Sequence, residues 1–64
     1  MKLTKLAGTC EVNECPTVYR TDRGTLVVQG DLVADADGLT LGTGEQAVEI
    51  PLGLLREAFS ALGQ

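Results

Sequence analysis

The first half of the chain contains two runs of β-branched and aliphatic residues whose order predicts a β-hairpin. Residues 17–21 have the sequence TVYRT, and residues 25–33 have the sequence TLVVQGDLV. The three residues between them end in Gly24, which can adopt the positive φ that a short hairpin loop requires. We therefore expect an antiparallel hairpin over residues 17–33.

The second strand of this hairpin is apolar on both of its faces. Successive side chains of a strand point to opposite sides, so Leu26 and Val28 share one face and Val27 lies on the other. Gly30, followed by Asp31, predicts a bend or bulge farther along the same run. A sheet face that would ordinarily meet water is thus partly apolar, which favours a contact with a partner.

The segments on either side of the hairpin have weaker patterns. Residues 1–8 are expected to form an irregular tail. After the hairpin, residues 34–38 predict a turn, residues 39–41 a short third strand, residues 42–46 a second loop, and residues 47–50 a further strand. These pieces bring the expected sheet to three or four strands.

Apolar residues recur at helical spacing in the last part of the chain. Pro51 suits the start of a helix, where its missing N–H is no loss, and Gly63 suits its end. We expect a helix over about residues 52–62, with an apolar face that covers nearly half of its circumference. Phe59 is expected to be buried, which would make Phe59→Ala cost about 3–5 kcal/mol of folding free energy. The apolar face has a central stripe, which is Leu52, Leu55, Ala58, Phe59 and Leu62, and two residues that widen it, which are Leu54 and Ala61.

Together these elements predict a single α+β domain over residues 1–64: a small antiparallel sheet with the C-terminal helix packed across one face. A chain of this length buries only about 60% of the surface that it exposes when unfolded. It also has one Phe, one Tyr and no Trp to fill a core. Because the helix is apolar over more of its surface than one small sheet needs, we expect a homodimer. The expected interface residues are Leu26, Val27, Val28, Leu54, Ala61 and Leu62.

The charged residues argue against several functions. The formal charge is −4, and the five basic residues are scattered rather than clustered, which does not favour nucleic-acid binding. The chain has no His and shows no nucleophile–base arrangement, so we expect no enzymatic activity. Residues 3–7 are too short and too polar for a secretory signal, and no apolar run is long enough to cross a membrane. We therefore expect a cytoplasmic protein without a membrane partner.

The two cysteines, Cys10 and Cys15, are the residues closest to reactive chemistry, and four residues separate them. Four interpretations stay open: half of a zinc site, a redox-active pair, a disulfide, and two reduced thiols. Zinc needs four ligands, so only a dimer with two facing cysteine pairs would complete a zinc site. A disulfide requires Cα atoms within about 7 Å of each other, as in a tight turn. Stable disulfides are uncommon in the cytoplasm, so we favour reduced thiols packed as small apolar side chains, with no cofactor.

Two parts of the sequence resemble known families. EIPLGLLREAFSALG, residues 49–63, resembles the strand-to-helix piece of AbrB-type swapped-hairpin regulators, in which an Ile-Pro pair opens the helix. Those proteins continue into further strands and have a basic DNA-binding surface. We therefore interpret this likeness as a convergent strand-then-helix pattern. The order of a cysteine-containing lead, the strand and turn VYRTDRG, a short apolar strand and the helix LLREAF resembles small actinobacterial BldB-like accessory regulators. This second resemblance implies a dimeric, non-enzymatic partner of another protein, such as a transcriptional regulator, and it assigns no site residues.

The leading hypothesis is therefore a small protein–protein interaction module that acts as a homodimeric accessory regulator. The first alternative is a thiol- or zinc-dependent sensor that uses Cys10 and Cys15. The second alternative is a small nucleic-acid-binding protein, against which the acidic charge argues.

Overall fold

A computed structural model of the chain describes residues 1–8 and 15–63. Its elements are β1 (Leu3–Ala7), β2 (Thr17–Thr21), β3 (Leu26–Gln29), β4 (Asp31–Val33), β5 (Ala47–Glu49) and α1 (Leu52–Leu62). The first three strands form an antiparallel sheet in the order β1-β2-β3, and β4 and β5 form a separate antiparallel hairpin. The helix packs on the three-stranded sheet, which confirms the expected α+β class.

The expected hairpin is formed by β2 and β3, but it ends at Gln29 instead of residue 33, because residues 31–33 pair with β5. One buried hydroxyl group orders its loop. Gly24 in this loop has a φ of +77°. The Oγ1 atom of Thr21 accepts hydrogen bonds from the backbone N–H groups of Arg23, at 3.0 Å, and Thr25, at 3.2 Å. It also lies 2.8 Å from the Oγ1 atom of Thr25. These bonds explain how Thr21 can be a buried polar residue beside an exposed turn.

Residues 1–8 are not an irregular tail, because β1 within them pairs with β2. Ala7 lies opposite Val18, and an irregularity between Lys5 and Ala7 shifts the register of the pairing. This irregularity interrupts the alternation of apolar and polar residues from which a strand is predicted. The first three residues of β1 are also exposed, so this edge strand has a weak pattern in the sequence.

The chain leaves the first sheet at Gly30, where the sequence predicts a bend. A Cβ atom at this position would overlap the backbone oxygen of Glu49 and would lie 2.9 Å from the Cγ2 atom of Ile50. Because glycine has no Cβ atom, β3 can end here and the chain can continue directly as β4. Residues 39–41 were expected to form a third strand, but they are not in a strand. They lie in the loop that connects β4 to β5, and these two strands pair with each other.

The helix has the bounds that the sequence predicts. Pro51 is the residue before its first turn, and the backbone N–H of Gly63 donates to the backbone oxygen of Phe59 at 3.0 Å. The helix packs over β1 and β2. The backbone N–H of Gly8 also donates to the Oε2 atom of Glu57 at 3.4 Å, which ties the helix to the end of β1.

The core is small and consists of short side chains. The helix meets the sheet through Ala58 and Leu54, while Phe59 points away and is 76% exposed. The expectation that Phe59 is buried in this core is therefore wrong. A small residue at the contact lets the helix approach the short strands closely, and the large side chains then lie on the outward side of the helix. Among the described residues, the buried apolar ones are Ala7, Val18 and Ala58, with Leu6, Ile50 and Leu54 packed against them.

Candidate interaction surface

The outward side of α1 is an uncovered row of large apolar side chains, which we call the outer helix stripe. Its members are Leu52, Leu55, Phe59 and Leu62. Leu52, at 79% exposed, is as open to solvent as Phe59. An α-helix has about 3.6 residues per turn, so the stripe and the core-facing residues together make up one wide apolar arc. The sheet covers only the part of this arc that contains Leu54 and Ala58.

The face of β3 beside the helix is uncovered as well. Val28 lies opposite the buried Val18, so it shares the sheet face on which the helix packs. Leu26 is two residues away on the same face, and both Leu26 and Val28 are exposed. The stripe and the strand approach each other at one shallow pocket, which is lined by Arg20, Gly24, Thr25, Leu26 and Leu62.

These two surfaces form one apolar region, which we call the helix–β3 notch. It consists of Leu26, Val28, Leu55, Phe59 and Leu62. Arg20 borders the notch at its Leu26 end, and Arg56 borders it beside Phe59. An apolar floor with an arginine at each rim is typical of a protein–protein contact.

The structure brings together half of the interface residues that the sequence predicts. Leu26, Val28 and Leu62 lie in the notch. Val27 lies on the opposite face of the sheet, directly across from Tyr19. Leu54 packs against the core of its own chain, so its side chain already has an intrachain contact.

The largest residues of this surface are ones that the sequence pattern places in the core. Leu52, Leu55 and Phe59 belong to the stripe that helical spacing assigned to the core, whereas Ala61, expected at the interface, is exposed on α1. The width of the apolar arc indicated that part of it would stay uncovered. Which part stays uncovered depends on how the helix docks, and spacing alone does not specify this.

The β4–β5 hairpin and its loop, residues 31–49, form a second exposed apolar region, which we call the arm. Leu32 is 66% exposed and lies opposite Val48, which is also exposed. Asp31 lies opposite Glu49, so two like charges face each other across the hairpin and oppose its pairing. Each strand has three residues, and an isolated two-stranded hairpin is marginally stable at best.

Cys15 is disulfide-bonded and half-buried, so the expectation of a reduced thiol is wrong for this residue. Its backbone oxygen accepts hydrogen bonds from the Oγ1 atom of Thr17, at 3.1 Å, and from the Nε2 atom of Gln29, at 3.5 Å. These bonds hold Cys15 against the start of β2 and the end of β3. Cys10 lies outside the described residues.

In the described part of the chain, polar side chains do not form a recognisable site for a metal ion or a small molecule. No group of three or more His, Cys, Asp or Glu residues within residues 1–8 and 15–63 could hold a metal ion. The zinc site considered from the sequence would include Cys10, which lies outside these ranges, so it stays a hypothesis. Every buried side-chain nitrogen and oxygen in these ranges has a hydrogen-bond partner. Small-molecule sites need convergent polar groups in a cleft. The candidate surface of this structure is therefore the apolar notch.

Comparisons with protein-family models, curated proteins and solved structures found no match to this chain. No helix in the described ranges is long and apolar enough to span a membrane.

Proposed function

We propose that this protein is a non-enzymatic protein–protein interaction module that acts as a homodimer through the helix–β3 notch. The observation that carries the proposal is the exposure of large apolar side chains in the notch beside a core built mainly of small ones. Complete burial of a Leu or Phe side chain is worth about 1.5–3 kcal/mol relative to exposure. Contiguous exposed patches of such side chains mark interaction sites.

The dimensions of the chain support self-association. Its accessible surface is 5293 Å², whereas a compact monomer of this size exposes roughly 3,900 Å². Its radius of gyration is 12.7 Å, whereas that of a compact chain of this length is about 10.7 Å. Each partner of a standard interface buries about 800 Å². The surface that one copy exposes beyond that of a compact monomer therefore exceeds the area that one partner of a standard interface buries.

The second part of the proposal is a role as an accessory regulator. The order of elements resembles that of BldB-like accessory regulators, and the described residues offer no catalytic arrangement. The net charge of −4 suits a basic surface on a partner such as a transcriptional regulator.

The variant Phe59→Asp tests the dimer, because Phe59 lies outside the core of its own chain. We expect the wild-type protein to have twice the mass of one chain in native mass spectrometry and in light scattering. We expect Phe59→Asp to have the mass of one chain, since a carboxylate cannot be buried in an apolar interface without a partner. Its far-UV circular dichroism should match that of the wild type.

Leu3→Asp is the matched control for this experiment. Leu3 is an exposed apolar residue on β1, outside the notch, so this variant should stay dimeric. A monomeric wild-type protein would contradict the proposal. A Phe59→Asp variant that stays dimeric would contradict the assignment of the interface to the notch.

The disulfide at Cys15 favours a second candidate function, a thiol-based sensor. Disulfides in cytoplasmic proteins are commonly transient or redox-sensing, and the Cys15 carbonyl accepts a hydrogen bond from Gln29 at the end of β3, the strand whose opposite face lines the notch. If the protein is a sensor, reduction or replacement of both cysteines by Ser will change the native mass while the circular dichroism stays constant. If the interaction module is the whole function, the dimer will have the same mass before and after reduction.

A further inference from the structure

The arm obtains little support from its own chain. Strands β4 and β5 contact each other far more than they contact the first sheet or the helix. The arm is joined to the rest of the protein at one end, where Gly30 precedes β4 and Ile50 follows β5. The apolar pair of Leu32 and Val48 therefore faces solvent in the isolated chain, and a short hairpin of this kind needs a surface to pack on.

The charges of the arm and of the notch are complementary. The arm, residues 31–49, contains five of the nine acidic residues of the chain and no basic residue. The notch is bordered by Arg20 and Arg56, two of the five basic residues. Complementary potentials of this kind orient two protein surfaces and exclude like-charged arrangements.

A contact between two helices alone fits these observations less well. The helix has 11 residues, so it is about 16 Å long and about 10 Å wide. One face of such a helix is small beside the area of about 800 Å² that each partner contributes to a standard interface. Direct pairing of the two helices would also bring Arg56 of both copies to the same contact.

We propose that the notch of one copy binds the arm of a second copy, so that the two copies exchange arms about a twofold axis. The Leu32–Val48 pair packs against the outer helix stripe and β3 of the partner, and the acidic arm lies beside the two rim arginines. In a twofold dimer each copy supplies one arm and one notch, so both apolar regions of both copies are covered. This inference rests on the proposed homodimer and identifies the surfaces that form it.

Photo-cross-linking of the full chain tests the exchange directly. The cross-linking residue p-benzoylphenylalanine replaces Leu32, and the covalent dimer formed on irradiation is isolated on a denaturing gel under reducing conditions. Trypsin cleaves after Arg56, so residues 57–64 form a peptide separate from the one that contains the arm. We expect the covalent dimer to contain a cross-link between the arm peptide and residues 57–64, whereas the same probe at Leu3 should give no such product.

The outcomes separate this inference from the proposed function. A native dimer whose arm probe gives no cross-link to a notch residue of the partner, either in residues 57–64 or in β3 and the first turns of α1 within the peptide of residues 24–56, would overturn the arm exchange and leave the homodimer in place. A chain that is monomeric by native mass would overturn both.

Reversing the charge of Arg56 tests the same contact independently through the dissociation constant of the dimer, and reversing charges on the arm should restore that constant. Arg56→Glu places a negative charge beside the acidic arm, and we expect it to weaken self-association about fivefold or more. Adding Asp35→Lys and Asp37→Lys, in the loop of the arm, in the same chain should restore the dissociation constant toward that of the wild type. An Arg56→Glu protein with unchanged affinity, or a triple variant weaker than Arg56→Glu alone, would overturn the placement of the arm.

Discussion

Gly30 and Gly53 are glycines in opposite surroundings. A Cβ atom at Gly30 would overlap the backbone of Glu49, whereas a Cβ atom at Gly53 would have no atom within 4 Å. We predict that Gly30→Ala lowers the free energy of unfolding by about 1–3 kcal/mol, because the methyl group forces apart the two chain segments at the base of the arm. Urea denaturation followed by circular dichroism measures the change. A Gly30→Ala protein as stable as the wild type would show that this junction can open without cost.

Phe59 shows that the sequence specifies the helix face on which a residue lies but not whether that residue is buried. Helical spacing places Phe59 and Ala58 in the same apolar face, and its large side chain makes Phe59 the natural choice for the core. In the structure Ala58 is buried and Phe59 is exposed. How closely a helix approaches a sheet depends on side chains of both elements, which the spacing within the helix does not specify. Because Phe59 is exposed, we expect Phe59→Ala to weaken association and to leave the fold of one chain unchanged.

At the scale of elements, the helix offers a stabilising substitution. Gly53 lies in the first turn of α1 and is exposed on the side away from the notch. Glycine loses more backbone entropy than alanine when a helix forms, so we predict that Gly53→Ala raises the free energy of unfolding by up to about 1 kcal/mol. The same urea denaturation measures this variant beside Gly30→Ala. A destabilised Gly53→Ala protein would mean that a neighbour, such as the second copy, contacts this position.

The elements that the sequence predicts well are those with local signals. The β2–β3 hairpin has Gly24 at a tight loop, and α1 has Pro51, Gly63 and a helical period between them. Strand β1 has no such signal, because an irregularity between Lys5 and Ala7 breaks the alternation of apolar and polar residues along it. Residues 39–41 have the composition of a short strand, but the structure has no strand there for a neighbouring strand to pair with.

The candidate site was predictable to a similar degree. The two-sided character of β3 and the wide apolar arc of α1 indicated an interface, and Leu26, Val28 and Leu62 lie in the notch. The bend at Gly30 was expected from the sequence, but the arm that follows it was not. The pairing of β4 with β5 and the exposure of Leu32 depend on how the assembled chain lies, which the local pattern does not specify.

At the scale of the whole molecule, the described core is too small to make one copy strongly stable. It contains Ala7, Val18 and Ala58 as buried apolar residues, with no aromatic side chain among them. Small domains of this kind depend on disulfides, metals or oligomerisation. Cys15 provides a disulfide, and we infer that the second copy provides the remaining apolar burial.

This dependence predicts that thermal stability varies with protein concentration. Because only folded chains dimerise, mass action stabilises them more strongly as concentration rises, so the melting temperature of the wild type should increase steadily with protein concentration. Phe59→Asp removes the apolar contact and keeps the core of each chain, so its melting temperature should be lower and independent of concentration. Calorimetry or circular dichroism at matched concentrations measures both proteins. A wild-type melting temperature that stays constant across the series would contradict self-association, and the exposed Leu and Phe side chains would then have to be explained by a partner other than a second copy.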